Sequence, residues 1–345
     1  TECICRPEDF APSRDDFEVV GAFNPGVVEH DGAVILLVRV AERPLGSDDD
    51  RIALPRWEAG RISVDHVPRE EWELLDPRVV RHRRTGLVRL TFTSHLRVVR
   101  CDASGWRVAE QGGRFEPVGE FESFGVEDPR IVCVDGVYWI TYVAVSSHGP
   151  ATALASTRDF ETFERHGVIF PIENKDVVVF PERLDGAFAA LHRPLGGTPF
   201  TRPEMWVSRS PDLLHWGRHA VVSAGPGVEL DRIGAGAPPL RVAGGWLEIY
   251  HAAAAPESPK QVGRYHAAAM LLDARRPEHV IARSAAPLFA PEAAFERDGF
   301  VPDVVFPTGV IDRGRRWRVY YGAADAFVGC VELSRDDVLS SLSES

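Results

Sequence analysis

The stretch FGVEDPRIVCVDGVYWITY, residues 124–142, places two adjacent carboxylates, Glu127 and Asp128, before a proline and an arginine. A carboxylic acid in such a position can donate a proton in catalysis, and a neighbouring arginine can bind an anion. Aspartate before proline is also a common turn former, and the tripeptide Asp-Pro-Arg recurs at residues 76–78. The local sequence therefore leaves open whether Asp128 is a turn residue or the acid of an active site.

Other groups along the chain could take part in the same chemistry. Inverting cleavage of a glycosidic bond needs a proton donor for the leaving oxygen and a nucleophile on the opposite face of the sugar. A water nucleophile needs a second carboxylate, whereas a phosphate nucleophile needs cations. The sequence offers both kinds of group: the carboxylates Asp76, Glu182, Asp303 and Asp325, and the basic or hydroxyl side chains Arg130, Lys175, His192, Arg193, Arg232 and Tyr265.

These candidates lie in a repeat. One pattern, a residue followed by proline, an apolar stretch, a turn and a second alternating run, occurs six times, from Asn24, Asp76, Asp128, Phe180, Pro238 and Phe306. Each copy predicts a β-hairpin, and hairpins recurring at about 50 residues are typical of a β-propeller. The innermost strands of a propeller line one axial channel. We therefore expect the hairpin starts, Asn24, Asp76 and Asp128 among them, to meet at one pocket.

Composition limits the alternatives. The chain has 345 residues, a formal net charge of -12 and five scattered cysteines. The negative charge argues against a nucleic-acid partner. The cysteines lack the spacing of a zinc site, so we expect no metal site. The absence of a long apolar run or a leader-like N-terminus predicts a soluble, cytoplasmic protein without a membrane partner. We expect one domain over 1–345, with a lead-in at 1–21 and a short helix at about 334–342; a homo-oligomer remains open.

Taken together and in order, several segments resemble glycoside hydrolase family 130, the β-mannoside phosphorylases and related β-mannosidases. The resemblance covers about residues 22–333 and rests on FNPGVV with LLVRVAER, VEDPRIV with YWITYVA, NKDVVVFPERLDGAFAALHRP, MWVSRSPDLLHW, RIGAGAPPL with WLEIYH, and VVFPTGVI with VYYGAAD. It implies an all-β, five-bladed propeller with a central axial active site. One of the six copies would then be shared where the ring closes.

The resemblance also implies roles for individual residues. Asp128 matches the general acid, and the phosphate-binding positions match Lys175, Arg193, Arg232 and Tyr265. Arg232 stands where the family pattern suggests lysine, and it keeps the positive charge. The side chains expected to bind the sugar are Asn24, Arg39, Arg130, His192, Tyr250, His251, Asp303 and Asp325.

The leading hypothesis is an inverting phosphorylase. It would cleave β-1,2- or β-1,4-linked mannosides with inorganic phosphate as co-substrate, without metal or organic cofactor, and release α-mannose 1-phosphate. The alternatives are a hydrolase on the same scaffold, with Glu229, Glu182 or Asp303 as base, and a non-catalytic sugar-binding propeller. The irregular segments 44–60 and 252–264 are candidates for shaping the acceptor site.

Overall fold

The computed structural model describes residues 1–195, 204–222, 232–253 and 263–344. In these residues the chain is almost entirely β-structure, with two short α-helices, α1 Ala294–Arg297 and α2 Arg335–Ser340, and three 3-10 turns at Pro7–Asp9, Arg69–Glu71 and Glu120–Glu122. Ser334 caps α2 by accepting the Asp337 amide, and the helix ends two residues earlier than expected. Within the described ranges, no helix has the length and hydropathy needed to cross a membrane.

Five antiparallel sheets of four or more strands form most of the structure. Sheet 1 contains β2 Phe17–His30, β3 Ala33–Pro44, β9 Thr93–Cys101 and β10 Val108–Phe115. Sheet 2 contains β11 Gly125–Val134, β12 Val137–Ser146, β13 Gly149–Thr157 and β14 Glu164–Phe170. Sheet 3 contains β15 Asn174–Val179, β16 Phe188–Pro194, β17 Trp206–Ser210 and β18 Gly217–Val221.

The last two sheets use both ends of the chain. Sheet 4 contains β19 Arg232–Gly234, β20 Leu240–Val242, β21 Gly245–Ala253, β22 Tyr265–Asp273, β23 Val280–Ser284 and β27 Leu342–Glu344. Sheet 5 contains β24 Val305–Asp312, β25 Arg316–Ala323, β26 Phe327–Ser334 and the N-terminal β1 Glu2–Cys5. The segment expected to be a lead-in therefore holds β1, which pairs with β26 through Glu2 opposite Cys330.

The repeat copy at Asp76 does not form a hairpin of the five sheets. Between β3 and β9 the chain forms two small sheets, β4 Arg51–Glu58 with β5 Arg61–Pro68, and β6 Trp72–Asp76 with β7 Val79–His82 and β8 Val88–Leu90. Asp76 ends β6 and binds the backbone amide and guanidinium of Arg78. Asp76 is therefore not the structural equivalent of Asn24 and Asp128, because this copy belongs to an insertion within sheet 1. The insertion, rather than ring closure, accounts for the sixth copy.

The first strands of sheets 1, 2 and 3 share a distinctive irregularity. In each strand the pairing register shifts across two residues, beginning at Asn24, Asp128 and Asp176. All three have left-handed backbone angles, with φ of 47°, 49° and 54°. Asparagine and aspartate tolerate this conformation better than other non-glycine residues, and a β-bulge re-aims a side chain. Asp176, rather than Phe180, is thus the counterpart of Asp128 in sheet 3.

Apolar clusters join each sheet to the next. Phe115 of sheet 1 packs with Tyr142 of sheet 2, and the clusters continue from sheet 2 to sheet 3, from sheet 3 to sheet 4 and from sheet 4 to sheet 5. A further cluster returns from sheet 5 to sheet 1 and contains the buried thiols of Cys5, Cys101 and Cys330. Cys133, in contrast, is exposed.

Trp246 lies in the contact between sheets 3 and 4. It is 1% exposed, its ring meets that of Phe180 edge-on at a centroid distance of 5.3 Å, and its indole nitrogen donates to the Ala274 carbonyl. Trp246→Ala should lower the free energy of unfolding by about 3–5 kcal/mol, as measured by chemical denaturation. Leu74→Ala, at a 58% exposed position in the insertion, is the matched control and should change little. An unchanged midpoint for Trp246→Ala would contradict this packing.

Candidate active site

Asp128 of sheet 2 is held by two side chains of sheet 1. Its Oδ1 accepts hydrogen bonds from Asn24 Nδ2 at 2.8 Å and from Arg39 Nη1 at 2.9 Å. Arg39 also donates through Nη2 to Glu127 Oε1 at 2.6 Å, and its guanidinium lies 4.6 Å from the centre of the Phe23 ring. The two carboxylates that stood together in the sequence thus share one buried arginine, which fixes the orientation of both.

The electrostatic surroundings favour ionised Asp128 in the ligand-free site. Burial by itself favours the neutral acid, but the charges of Arg39 and Arg130, the Asn24 hydrogen bond and the charge of Lys175 lower the pKa of Asp128 below its ordinary value. Asp128 is therefore a carboxylate before any ligand binds. A negatively charged ligand beside it would offset those cations and make protonation easier.

A second group of charged side chains surrounds Asp176. Its Oδ2 lies 2.8 Å from Arg193 Nη2 and 3.4 Å from His251 Nε2. Burial opposes its charge, but the positive charges of Arg193 and Arg130 outweigh that effect and lower the pKa of Asp176. Burial lowers the pKa of His251 to about 3, so this imidazole is neutral near pH 7. His251 is also stacked on Phe306, with ring centroids 4.2 Å apart.

Several donors in this region are available to a ligand. Arg232 Nη1 donates to the Tyr265 hydroxyl oxygen at 2.7 Å, which leaves the phenolic proton able to bond elsewhere. Among the described residues, Arg193 Nε and Nη1, Arg130 Nη2 and Arg232 Nε are buried and have no hydrogen-bond partner. Buried donors without partners are costly, and an oxyanion can satisfy several of them together. The arrangement is suited to binding a small oxyanion.

Asp325 lies at the tip of the β25–β26 hairpin. It and Ala324 both have φ of 48°, and left-handed non-glycine residues concentrate at functional sites. Burial raises the pKa of Asp325 to about 6, and the charges of Asp128 and Glu127 add to this effect while Arg39 and Arg78 oppose it. Arg78 of the insertion lies 3.9 Å from Asp325 Oδ2. Asp325 therefore belongs to the same electrostatic environment as Asp128.

Not every expected site residue joins these groups. His192 Nδ1 meets the Asn174 amide at 3.0 Å, its Nε2 meets Ser208 Oγ at 2.7 Å, and Tyr250 belongs to the apolar cluster of sheets 3 and 4. Successive side chains of a strand point to opposite faces, so Arg193 and His251 take the site face and their neighbours do not. The structure therefore does not bring His192 or Tyr250 to the charged cluster.

The carboxylates considered as alternative bases are also set apart. Glu182 and Asp303 are exposed, and the Asp303 carbonyl accepts the Tyr265 amide at 3.1 Å. Glu229 lies outside the described residues. The segment 252–264 is also largely outside them, whereas 44–60 contains the end of β3 and the whole of β4.

Sequence reasoning gave no role to three buried carboxylates: Glu127, Asp176 and Glu248. Glu248 accepts the Gly236 amide at 2.9 Å, and Arg130 Nε donates to the Gly236 carbonyl, so Glu248 supports the loop that holds Arg130. Burial raises the pKa of Glu248 well above its ordinary value. Asp176 could have been found from its position between Lys175 and an apolar strand, because aspartate there suits a left-handed bulge.

The raised pKa of Asp325 has a consequence for stability. Asp325 loses its proton near pH 3.8 in the unfolded protein and near pH 6 in the folded protein. The charge on Asp325 therefore lowers the free energy of unfolding progressively from pH 4 to 6, and by a constant amount above pH 6. Asp325→Asn should therefore raise the free energy of unfolding at pH 7.5 by up to about 3 kcal/mol, and its difference from wild type should be smaller near pH 4. Melting temperatures across this range test it, with exposed Glu182→Gln as control. A difference between variant and wild type that does not change with pH would contradict this prediction.

Comparison with known proteins places this geometry in a family. The sequence model for glycoside hydrolase family 130, described as beta-1,4-mannooligosaccharide phosphorylase, matches residues 106–344. A beta-1,2-mannobiose phosphorylase of Listeria innocua is 35% identical, with 98% of this chain and 96% of that protein aligned. A 1,2-beta-oligomannan phosphorylase of Thermoanaerobacter sp. is 34% identical over 68% of this chain and 79% of that protein.

Solved structures agree. The beta-1,2-mannobiose phosphorylase from Listeria innocua, in complex with beta-1,2-mannobiose, has a TM-score of 0.88 and 36% identity, covering 97% of this chain and 96% of that one. A structure from work on family 130 glycoside hydrolases that target beta-1,2 mannosidic linkages in Candida mannan has a TM-score of 0.71, covers 96% and 93% of the two chains, and at 20% identity shares the fold alone. The chain belongs to glycoside hydrolase family 130.

Proposed function

We propose that this protein is an inverting phosphorylase that cleaves β-mannosides with inorganic phosphate. The observation that carries the proposal is a set of buried arginine donors, without hydrogen-bond partners in the described part of the chain, beside the carboxylate of Asp128. A phosphate nucleophile needs such cations, whereas a water nucleophile needs a second carboxylate at the reacting face. The names of the family relatives support the same reaction class.

Each residue of the site then has its own role in the reaction. Lys175, Arg193, Arg232 and Tyr265 bind phosphate, and Asp128 gives a proton to the leaving oxygen directly or through a sugar hydroxyl. A phosphate oxygen attacks the anomeric carbon from the opposite face as the glycosidic bond breaks, so the configuration inverts. The products are α-mannose 1-phosphate and the shortened sugar. Asn24, Arg39 and Asp325 line the mannosyl side.

Asp128 must carry a proton to act as the acid, and bound phosphate favours that protonation. Asp128 is ionised in the empty site because cations surround it. A phosphate bound beside Lys175 and Arg193 brings negative charge that offsets those cations and raises the pKa of Asp128. The nucleophile thereby prepares the acid, and proton transfer depends on both substrates being present.

We further propose a β-1,2 linkage and a five-bladed propeller. The linkage rests on the beta-1,2-mannobiose phosphorylase and 1,2-beta-oligomannan phosphorylase among the relatives. The propeller rests on five sheets whose apolar clusters join each sheet to the next and the fifth to the first. Pairing of β1 with β26 would close the ring, and the chain would be a single domain with the site on its axis.

Phosphate dependence is the direct test of function. With β-1,2-mannobiose, we expect cleavage only when phosphate is present, and NMR should identify the α-anomer of mannose 1-phosphate as the first product. Asp128→Asn should lower kcat by about 10²–10⁴-fold while leaving the protein folded. Undiminished release of mannose without phosphate would instead indicate a hydrolase, and sugar binding without turnover would indicate a non-catalytic protein.

Proton uptake tests the link between phosphate and Asp128. Isothermal titration of phosphate in buffers of different ionisation enthalpy should show protons taken up on binding, because the pKa of Asp128 rises in the complex. The uptake should fall in Asp128→Asn. Equal uptake in wild type and in Asp128→Asn would show that another group takes the proton.

A further inference from the structure

Asp176 is an unusual component of an oxyanion site. Asp176 is 4% exposed, and its carboxylate lies among Arg193, His251 and Arg130, of which Arg193 is assigned to phosphate. A fixed negative charge at this position opposes the binding of any anion that carries no proton. Gly234 leaves room for the carboxylate, because a Cβ on Gly234 would lie 2.3 Å from Asp176 Oδ2.

One oxygen of Asp176 carries the argument. Oδ2 lies within reach of Arg193 Nη2 and His251 Nε2, yet it is buried and has no hydrogen-bond partner among the described residues. An ionised carboxylate can only accept hydrogen bonds, so this oxygen can accept one from a ligand. Hydrogen phosphate and hydrogen arsenate retain a proton at neutral pH, whereas sulfate has none. A hydrogen-bond acceptor beside the anion therefore favours the binding of protonated oxyanions and opposes the binding of sulfate.

We propose that Asp176 is a specificity-determining residue that accepts a hydrogen bond from the protonated oxygen of bound hydrogen phosphate and thereby excludes sulfate. This inference rests on the proposed phosphate site. It goes further by giving one residue the task of distinguishing two tetrahedral oxyanions of similar size. No covalent step is involved, because the proton stays on the phosphate while it is hydrogen-bonded to Asp176.

A purely positional role for Asp176 makes a different prediction. If Asp176 only orients Arg193, its loss weakens phosphate, arsenate and sulfate binding by a common factor, since all three use the same guanidinium. If it accepts the oxyanion proton, its loss weakens phosphate and arsenate but strengthens sulfate. The ratio of affinities, rather than any single affinity, separates the two roles.

The experiment compares inorganic phosphate, arsenate and sulfate on the full-length chain by isothermal titration at pH 7 and fixed ionic strength. Wild type should bind phosphate and arsenate at least about tenfold more tightly than sulfate, corresponding to about 1.4 kcal/mol. In Asp176→Asn the ratio should move to one or below. Asp128→Asn is the matched control, because Asp128 occupies the equivalent bulge, and it should keep the wild-type ratio.

The outcomes are distinct. Equal binding of phosphate and sulfate by wild type overturns the proposal without any variant, so the test stands even if Asp176→Asn fails to fold. A common loss for all three anions in a folded Asp176→Asn also overturns it and leaves a positioning role. Mannoside cleavage that needs no phosphate would instead refute the proposed function, whereas phosphate-dependent cleavage with unselective anion binding refutes this inference alone.

Discussion

The left-handed bulge in the first strand of sheets 1, 2 and 3 is the constraint on which the site depends. At Asn24, Asp128 and Asp176 the chain adopts a backbone conformation that costs about 1 kcal/mol or more for most residues. A regular strand would alternate these side chains between its two faces and pair every residue with its neighbour. The bulge releases two residues from the pairing and turns a short polar side chain toward the adjacent sheets. Asn24 thereby reaches Asp128 across a sequence separation of 104 residues.

Compensation of buried charge is the second requirement. Arg39 links Glu127 and Asp128, and Arg193 pairs with Asp176, so each of these carboxylates faces a cation. Breaking such pairs leaves an uncompensated buried charge, which is strongly destabilising. The pairs leave other arginine nitrogens without partners in the described residues. An incoming anion completes the network, so the same charges that support the fold prepare the site for a ligand.

Close approach of the backbone also shapes the site. A Cβ at Gly322 would lie 1.7 Å from Asn24 Oδ1, and one at Gly236 would lie 2.2 Å from the Ile249 carbonyl. These glycines have ordinary backbone angles, so space rather than conformation requires them. They allow the bulges of one sheet to lie against the strands of the next. Substituting either would displace a bulge or the loop that holds Arg130.

The sequence by itself determined the all-β class and most of the hairpins, because strand alternation and turn residues are local signals. The choice of Asp128, Arg193, Arg232 and Tyr265 among the charged and hydroxyl side chains came from the resemblance of whole segments to family 130. Only the tertiary structure decided that the second Asp-Pro-Arg copy at residues 76–78 lies in an insertion, that His192 and Tyr250 face away, and that Asp176 is the counterpart of Asp128. Those facts depend on which strands pair and on where a one-residue change of register reverses a side chain, and these are set by contacts between residues far apart in the chain.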